Sequence, residues 1–560
     1  MKGRSEAVRA IEGRTFDVCV IGGGATGAGC ALDAQLRGLQ TILLDAGDFA
    51  SATSSASTKI IHGGARYLQE AVQDFDLHQY RVVKRALRER VLMLKNAPFL
   101  TRTLEFLVPC FSRFEAFYYG MGMKIYDWMA GKASLFPSHS ISRAESLKRL
   151  PGLKADGLVG TVAYADGGFD DARYALTLVS TFANIGGEAL NYARVVGFEK
   201  ASDGRLAGAT VDDATGRAQF PVRARAFVNA TGPFADTIRD LAQAGVPKRM
   251  RPSKGVHIFL PLEGFSGGEA LLVPKTEDGR VIFAIPWLGR LLVGTTDDEA
   301  ALQDELLVQR SEVDYLLRQL NPYLSKPFTA DQIVSGMAGL RPLVSSGDSR
   351  ETRKLVRDDE VELDAHSGLI SILGGKWTTH RAMAEDTIDA VQNYLGGPVT
   401  ECRTRAYALT GAEGYRPNYW ETLAAQFGIA AGTARHLAEK FGTNAPQVLA
   451  IAGEDPSLGA PLIHGFPAIR AEIVYGVRHE MAQTIEDVLA RRIGLQLFSW
   501  RDAIKAAPIA GSLLAAELGW TTAQTETAVT DYISRVSRFL QTAGLDPGRS
   551  SATTHPGGSA

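Results

Sequence analysis

The stretch Thr15-Phe16-Asp17-Val18-Cys19-Val20-Ile21-Gly22-Gly23-Gly24-Ala25-Thr26-Gly27 decides the fold. Phe16 to Ile21 is a short apolar run ending in glycines, the pattern of a buried parallel strand. Gly22, Gly24 and Gly27 then form a GxGxxG turn. The first glycine permits the tight turn, the second lets backbone approach a pyrophosphate, and the third lets helix and strand pack closely. A small-residue helix is predicted from about Ala25 to Arg37, closed by Gly38. Its N-terminus offers unpaired N–H groups and a partial positive charge to phosphates. Gln40 to Leu44 reads as a second strand ending at Asp45, where a carboxylate accepts hydrogen bonds from ribose hydroxyls. This strand–helix–strand unit places the chain in the α/β class, with a Rossmann-like dinucleotide-binding domain.

The glycine pattern leaves the dinucleotide open. Phe227-Val228-Asn229-Ala230-Thr231-Gly232 adds an apolar strand ending in Ala-Thr-Gly. In flavoproteins with two dinucleotide domains such a strand passes beside the cofactor, and the glycine avoids a side-chain clash. Strand-like runs recur at Ala226–Ala230, Gly255–Leu260, Val281–Ile285 and Leu291–Gly294. Long helices are predicted at about Asp76–Lys95, Asp170–Ile185 and Thr378–Leu395. Beyond Glu401 helical patterns dominate: Ile473, Val474, Val477, Met481, Ile485, Val488 and Leu489 recur at helical spacing. The division expected is a dinucleotide-binding and substrate region over 15–400. Its nucleotide-binding segments are expected at about 15–100, 150–250 and 335–400, with a mixed-sheet substrate domain from 100–150 and 250–335. An all-α domain spans 401–545 and a disordered tail 546–560.

The 560 residues exceed one ordinary core, so two or three domains are expected. With 45 % apolar and 22 % charged residues the chain has a globular profile. A net charge of −2 supplies no global field for nucleic acid, and no basic stretch is interleaved with aromatics. Cys19, Cys30, Cys110 and Cys402 are scattered, with no CxxC pair and no metal-ligand spacing, so no metal is expected. Met1–Arg14 lacks the apolar core of a signal peptide, and no run approaches the roughly 20 apolar residues that span a bilayer.

The longer motifs are Ala52-Thr53-Ser54-Ser55-Ala56-Ser57-Thr58-Lys59, Ile61-His62-Gly63-Gly64-Ala65-Arg66-Tyr67-Leu68, Lys254-Gly255-Val256-His257, Gly339-Leu340-Arg341-Pro342-Leu343 and Gly374-Gly375-Lys376-Trp377-Thr378-Thr379. With the glycine turn and the Ala-Thr-Gly strand, they make the chain resemble the FAD-dependent glycerol-3-phosphate dehydrogenases, bacterial and mitochondrial, over about Phe16–Leu540. Val256 stands where that family pattern has serine, and Ala65 replaces a leucine or valine. No EF-hand loop is visible at the C-terminus.

The resemblance implies FAD as cofactor and oxidation of sn-glycerol 3-phosphate to dihydroxyacetone phosphate, with hydride passing from C2 to flavin N5. Such a site needs cations for a phosphate dianion, a base near the hydroxyl and positive character near flavin N1/O2. Arg341 and Arg66 are the expected phosphate ligands, because a guanidinium binds phosphate through two parallel hydrogen bonds; Tyr67 is expected beside them. His257, in an apolar strand, is the candidate base, although histidines in such strands are also commonly core residues satisfied by backbone. Lys376, before a helix start, is expected to contact substrate or ring. The cofactor set expected is Gly22, Gly23, Gly24, Thr26, Gly27, Asp45, Thr53, Ser54, Ser55, Lys59, His62, Gly63, Gly64, Ala230, Thr231, Gly232, Gly375, Lys376 and Thr378, with noncovalent attachment.

The aromatic-rich stretch Phe111–Trp128 reads either as core packing under a substrate cap or as a surface for membrane or quinone. Arg81, Lys84, Arg85, Arg88 and Arg90 fall on one predicted helix, as a solvated face or a lipid contact. The resemblance implies membrane quinone as electron acceptor and peripheral attachment to the cytoplasmic face of the cell membrane. A homodimer is a further expectation. Rival readings are an oxidase passing electrons to dioxygen, an amino-acid oxidase of the same superfamily, an RNA-modifying flavoprotein and a non-catalytic flavin-binding module.

Overall fold

The computed structural model describes residues 4–64, 77–215, 219–265, 267–302, 305–345 and 359–548. Among these, eight strands form the first sheet. Strands Thr15–Ile21 and Thr41–Leu44 lie parallel, and Glu188–Leu190, Phe220–Asn229 and Leu369–Gly374 extend the parallel core. Asp359–Leu363 closes one edge antiparallel, and Ala193–Lys200 and Leu206–Asp213 pair into a meander with Phe220–Asn229. Strand Thr15–Ile21 is central, which is why Val18, Cys19 and Val20 are fully buried and read as a continuous apolar run. Helix Ala25–Leu36 packs between helices Asp171–Asn184 and His380–Leu395. All four cysteines are buried free thiols.

A second sheet of ten strands among the described residues covers the substrate side. It includes Ile60–Ile61, Gly160–Phe169 and Ser335–Arg341, which the sequence division gave to the nucleotide-binding segments. The chain crosses between sheets more often than composition reveals, because pairing between distant strands leaves no local signal. Strand Ser253–Pro261 pairs with Arg290–Gly294 and with Ser335–Arg341, bringing His257 and Arg341 onto neighbouring strands.

The C-terminal region is helical throughout, but residues 473–489 are not one helix. Helix Ala471–Glu480 ends at Met481, which adopts φ +55, and a π-helix follows at Asp487–Arg492. Trp500, fully buried, shares a core with Val256 and Ile258, and its backbone N–H donates to Val334 O at 3.1 Å. The domain thus braces the sheet behind His257.

Helix Arg113–Ala130 opens with Ser112 capping Glu115. It buries Met123, Tyr126 and Met129 on one face, yet Phe114, Phe117 and Trp128 on another are 74 %, 68 % and 74 % exposed. The core-packing reading of Phe111–Trp128 therefore holds for one face only. Of the basic residues expected on one helix, here Leu77–Asn96, Arg90 is buried against Asp166 at 2.5 Å, and Arg85, 34 % exposed, pairs with Asp386 at 2.5 Å. Among the described residues no helix is long and apolar enough to cross a membrane.

Candidate active site

The glycine turn is forced by contact distances. A Cβ on Gly27 would lie 1.7 Å from Gly22 O, and Gly22 itself adopts φ +107 against the carbonyl of Ala230. Gly24 caps helix Ala25–Leu36 without a side-chain hydrogen bond, leaving the helix start as backbone donors. Thr26 lies in its first turn. Asp45 accepts from Gly23 N at 2.6 Å and Gly47 N at 2.8 Å. Burial pushes its carboxyl up to about 6, against the pull of those two bonds. It remains an acceptor at neutral pH, and each carboxylate oxygen keeps a second lone pair.

Segment Thr53–Lys59 joins this turn to the second sheet. Ser54 Oγ accepts from Ala25 N at 2.9 Å, and Ser54 O accepts from Trp377 Nε1 at 2.9 Å. Thr53 Oγ1 donates to Leu340 O at 2.6 Å, one residue from Arg341. Ser55 O accepts from Lys59 Nζ at 2.8 Å. Lys59 is almost fully buried, and its ammonium also meets Asp171, whose other oxygen accepts from Ser57. Lys59 is in the expected cofactor set, and its ammonium contacts fix the turn.

Other members of the expected set follow. Gly63 N donates to Tyr126 OH at 2.9 Å, which donates to Asp166. His62 lies 6.4 Å from the Phe283 ring, and Gly64 adopts φ +86. Ala230 lies against Gly22. Thr231 bonds Asn229 Oδ1 at 2.7 Å, and a Cβ on Gly232 would meet no protein atom within 4 Å. Gly375 adopts φ +86, and half-buried Lys376 precedes the short turn Trp377–Thr379, in which Thr378 is buried. Arg66 and Tyr67 lie outside the described residues.

His257 and Arg341 share one corner. His257 Nε2 is 3.0 Å from Thr58 Oγ1, and its Nδ1 is buried with no hydrogen-bond partner. A buried polar atom without a partner is rare in a finished core and is consistent with a site built to receive a ligand. Burial, then the charges of Arg341 and Lys59, hold the imidazole well below the ordinary histidine range. It is neutral at physiological pH, available as a proton acceptor but weakly basic. Arg341 Nη2 donates to Thr295 Oγ1 and Thr296 O, each at 2.9 Å, and Nη1 to Asp297 at 3.1 Å. Its side chain stays 22 % exposed. Thr58 lies inside the Ala52–Lys59 motif but not in the expected site set, and Thr295, Thr296, Asp297 and Asp171 carry no local motif that marks them as site residues.

This donor set fits FAD: a glycine turn at a helix start, an acceptor at the second strand end, open space over Gly232 and a cationic corner with an unpartnered ring nitrogen. Gly27→Ala should yield protein that purifies without yellow flavin, read as loss of 450 nm absorbance; retention of stoichiometric FAD would refute the close-contact argument. Because burial and the neighbouring cations hold folded His257 well below the ordinary histidine range, the acid limb of kcat/KM should show no inflection near pH 6.5 from this group. An inflection there that disappears in His257→Gln would count against the reading.

A family model of FAD dependent oxidoreductases matches residues 17–387, and one of the C-terminal domain of alpha-glycerophosphate oxidase matches 402–525. The chain is 40 % identical over 522 residues to the mitochondrial glycerol-3-phosphate dehydrogenase of Mesocricetus auratus, covering 90 % of this chain and 71 % of that one. It is 39 % identical over 521 residues to the mitochondrial glycerol-3-phosphate dehydrogenase of Homo sapiens, covering 90 % and 71 %. The solved glycerol-3-phosphate dehydrogenase of Bacillus halodurans, complexed with FAD, superposes with a TM-score of 0.77 at 30 % identity over 98 % of both chains. The turn, the cationic corner and these likenesses agree: the chain is an FAD-dependent oxidoreductase of the glycerol-3-phosphate dehydrogenase family.

Proposed function

We propose that the protein oxidises sn-glycerol 3-phosphate to dihydroxyacetone phosphate and passes the electrons to a membrane quinone. The observation that carries the reading is the placement of Arg341 beside His257 at the edge of the FAD region, in a chain about 40 % identical to glycerol-3-phosphate dehydrogenases over nine-tenths of its length. When bound, FAD supplies a hydride acceptor at N5 for the C2 hydrogen. Arg341, oriented by Thr295, Thr296 and Asp297, brings a guanidinium to the phosphate with little ordering cost, exchanging some of these bonds for phosphate oxygens. Neutral His257 takes the C2 hydroxyl proton. Lys376 adds positive character at the turn before helix His380–Leu395.

Arg341→Ala should raise KM for glycerol 3-phosphate about 100-fold, close to 3 kcal/mol, at unchanged FAD content. Anaerobic flavin bleaching titrated with substrate checks this; bleaching at parental concentrations would sink the assignment. The C-terminal match to a family model named for an oxidase supports a second reading, in which dioxygen takes the electrons. Stoichiometric peroxide with substrate and air, and no faster turnover with a soluble quinone, would select it.

We further propose peripheral attachment at the cytoplasmic face of the cell membrane through helix Arg113–Ala130. Its exposed Phe114, Phe117, Met121 and Trp128 support this, since aromatic rings favour the lipid–water boundary. Lys124 on the same helix is exposed, with its ammonium donating to Ser138 O, and Asp127 accepts from Ser138. A Phe117→Ser, Trp128→Ser double variant should lose co-sedimentation with liposomes while its Tm moves by only about 2 °C. Parental sedimentation would exclude this helix.

A further inference from the structure

The C-terminal helical domain reaches the turn that follows Asp45, and its role there is not explained by bracing alone. Asp48 is fully buried, three residues beyond Asp45. Arg491 Nε donates to Asp48 Oδ2 at 2.6 Å, and Arg492 grips both carboxylate oxygens, Nη2 meeting Oδ1 at 2.9 Å. Both arginines sit on the π-helix Asp487–Arg492, more than 440 positions along the chain. Arg491 is itself held by Asp487 at 2.5 Å, and Arg492 donates to Glu480 O at 2.6 Å. Burial pushes Asp48 up, but Arg492 and then Arg491 outweigh it and keep the carboxyl below its ordinary range.

The turn they grip is also the lid of the glycine turn. Ala50 N donates to Gly23 O at 3.1 Å, Phe49 lies where a Cβ on Gly23 would collide, and Asp45 accepts from Gly23 N. Ala50 adopts φ +60, a conformation an alanine keeps only when its surroundings impose it. One side of the turn therefore touches the pyrophosphate-binding backbone, and the other is fixed by two guanidinium groups from a different domain. A π-helix is the exception in protein structure and recurs at functional positions; here it puts two successive arginines on one carboxylate.

We propose that Arg491 and Arg492 are positioning residues for FAD: through Asp48 they set the Asp45–Ser51 turn in the shape that receives the adenosine ribose and closes over the pyrophosphate. The helical domain then retains the cofactor as well as bracing the second sheet. The inference rests on FAD binding and is independent of the substrate and the electron acceptor.

The test is the rate of FAD release from holoprotein on dilution, followed by the rise in free-flavin fluorescence. Asp48→Asn should release FAD at least tenfold faster and Arg491→Lys about threefold faster, with excess FAD restoring the bound-flavin spectrum. His436→Gln is the control. It breaks a buried pair with Glu472 at 3.0 Å inside the same domain, away from the turn, and should release FAD at the parental rate. Parental release rates in both turn variants would overturn the proposal, as would equal acceleration in His436→Gln. If Asp48→Asn fails to fold by circular dichroism, Arg491→Lys decides.

Discussion

Ser54 makes two hydrogen bonds on which the site depends. Its hydroxyl accepts the N–H of Ala25 at the start of the nucleotide-binding helix, and its carbonyl accepts the indole N–H of Trp377 at the start of the last helix of the FAD region. Those helices pack side by side, so one residue spaces the two helix starts. The same segment continues through Thr58 to His257 and through Thr53 to the carbonyl before Arg341. The glycine turn and the cationic corner are thus referenced to one short loop. A loop held at both ends fixes relative positions more tightly than two domains packed through apolar contact, because hydrogen bonds have narrow distance and angle tolerances.

The loop stays in place because of buried charge. Asp171 at the start of helix Asp171–Asn184 binds Ser57 and Lys59, and the preceding Asp170 caps that helix and pairs with Lys440 of the C-terminal domain at 3.2 Å. Arg173, one turn on, pairs with Glu480 at 2.8 Å. Buried ion pairs seldom add net stability, but losing one partner costs about 3–5 kcal/mol. Their value here is geometric: apolar side chains of similar volume would fill the space without specifying where the loop sits. The helix joins the active-site loop on one side to the C-terminal domain on the other.

The glycine turn was legible because it depends on local backbone chemistry: few residues tolerate φ +107 at Gly22, and none with a Cβ tolerates the Gly27 contact. Strand 253–261 is legible in part, as the apolar run Gly255–Leu260 broken by His257, whereas the glycine-rich strand 335–341 carries no strand-like run and shows only in the motif at its end. That Arg341 and His257 are neighbours could be inferred only through family resemblance, since the pairing of those strands spans some 80 residues. Thr295, Thr296 and Asp297, which hold Arg341, are ordinary polar residues after a strand and acquire meaning only from the partner strand. Helical spacing over 473–489 gives no sign of the left-handed Met481 that ends the first helix, and the composition of 111–128 cannot tell which side of a helix is covered.

The corner contains two cations and two carboxylates, yet the roles of the cations separate. Lys59 is paired with Asp171, its side chain is wholly enclosed, and it lends only a field, felt at His257. Arg341 is paired with Asp297 but stays 22 % exposed, and Ser253, Thr295 and Thr296 hold its planar fork in one orientation. A phosphate approaching the exposed side meets a cation already oriented. Swapping the two residue types would forfeit this: an ammonium at position 341 would present a point charge without the fork, and a guanidinium at 59 would need more acceptors than Ser55 and Asp171 supply. The chemistry assigned to each position follows from the shape of its cation and the enclosure around it, with net charge the same in both arrangements.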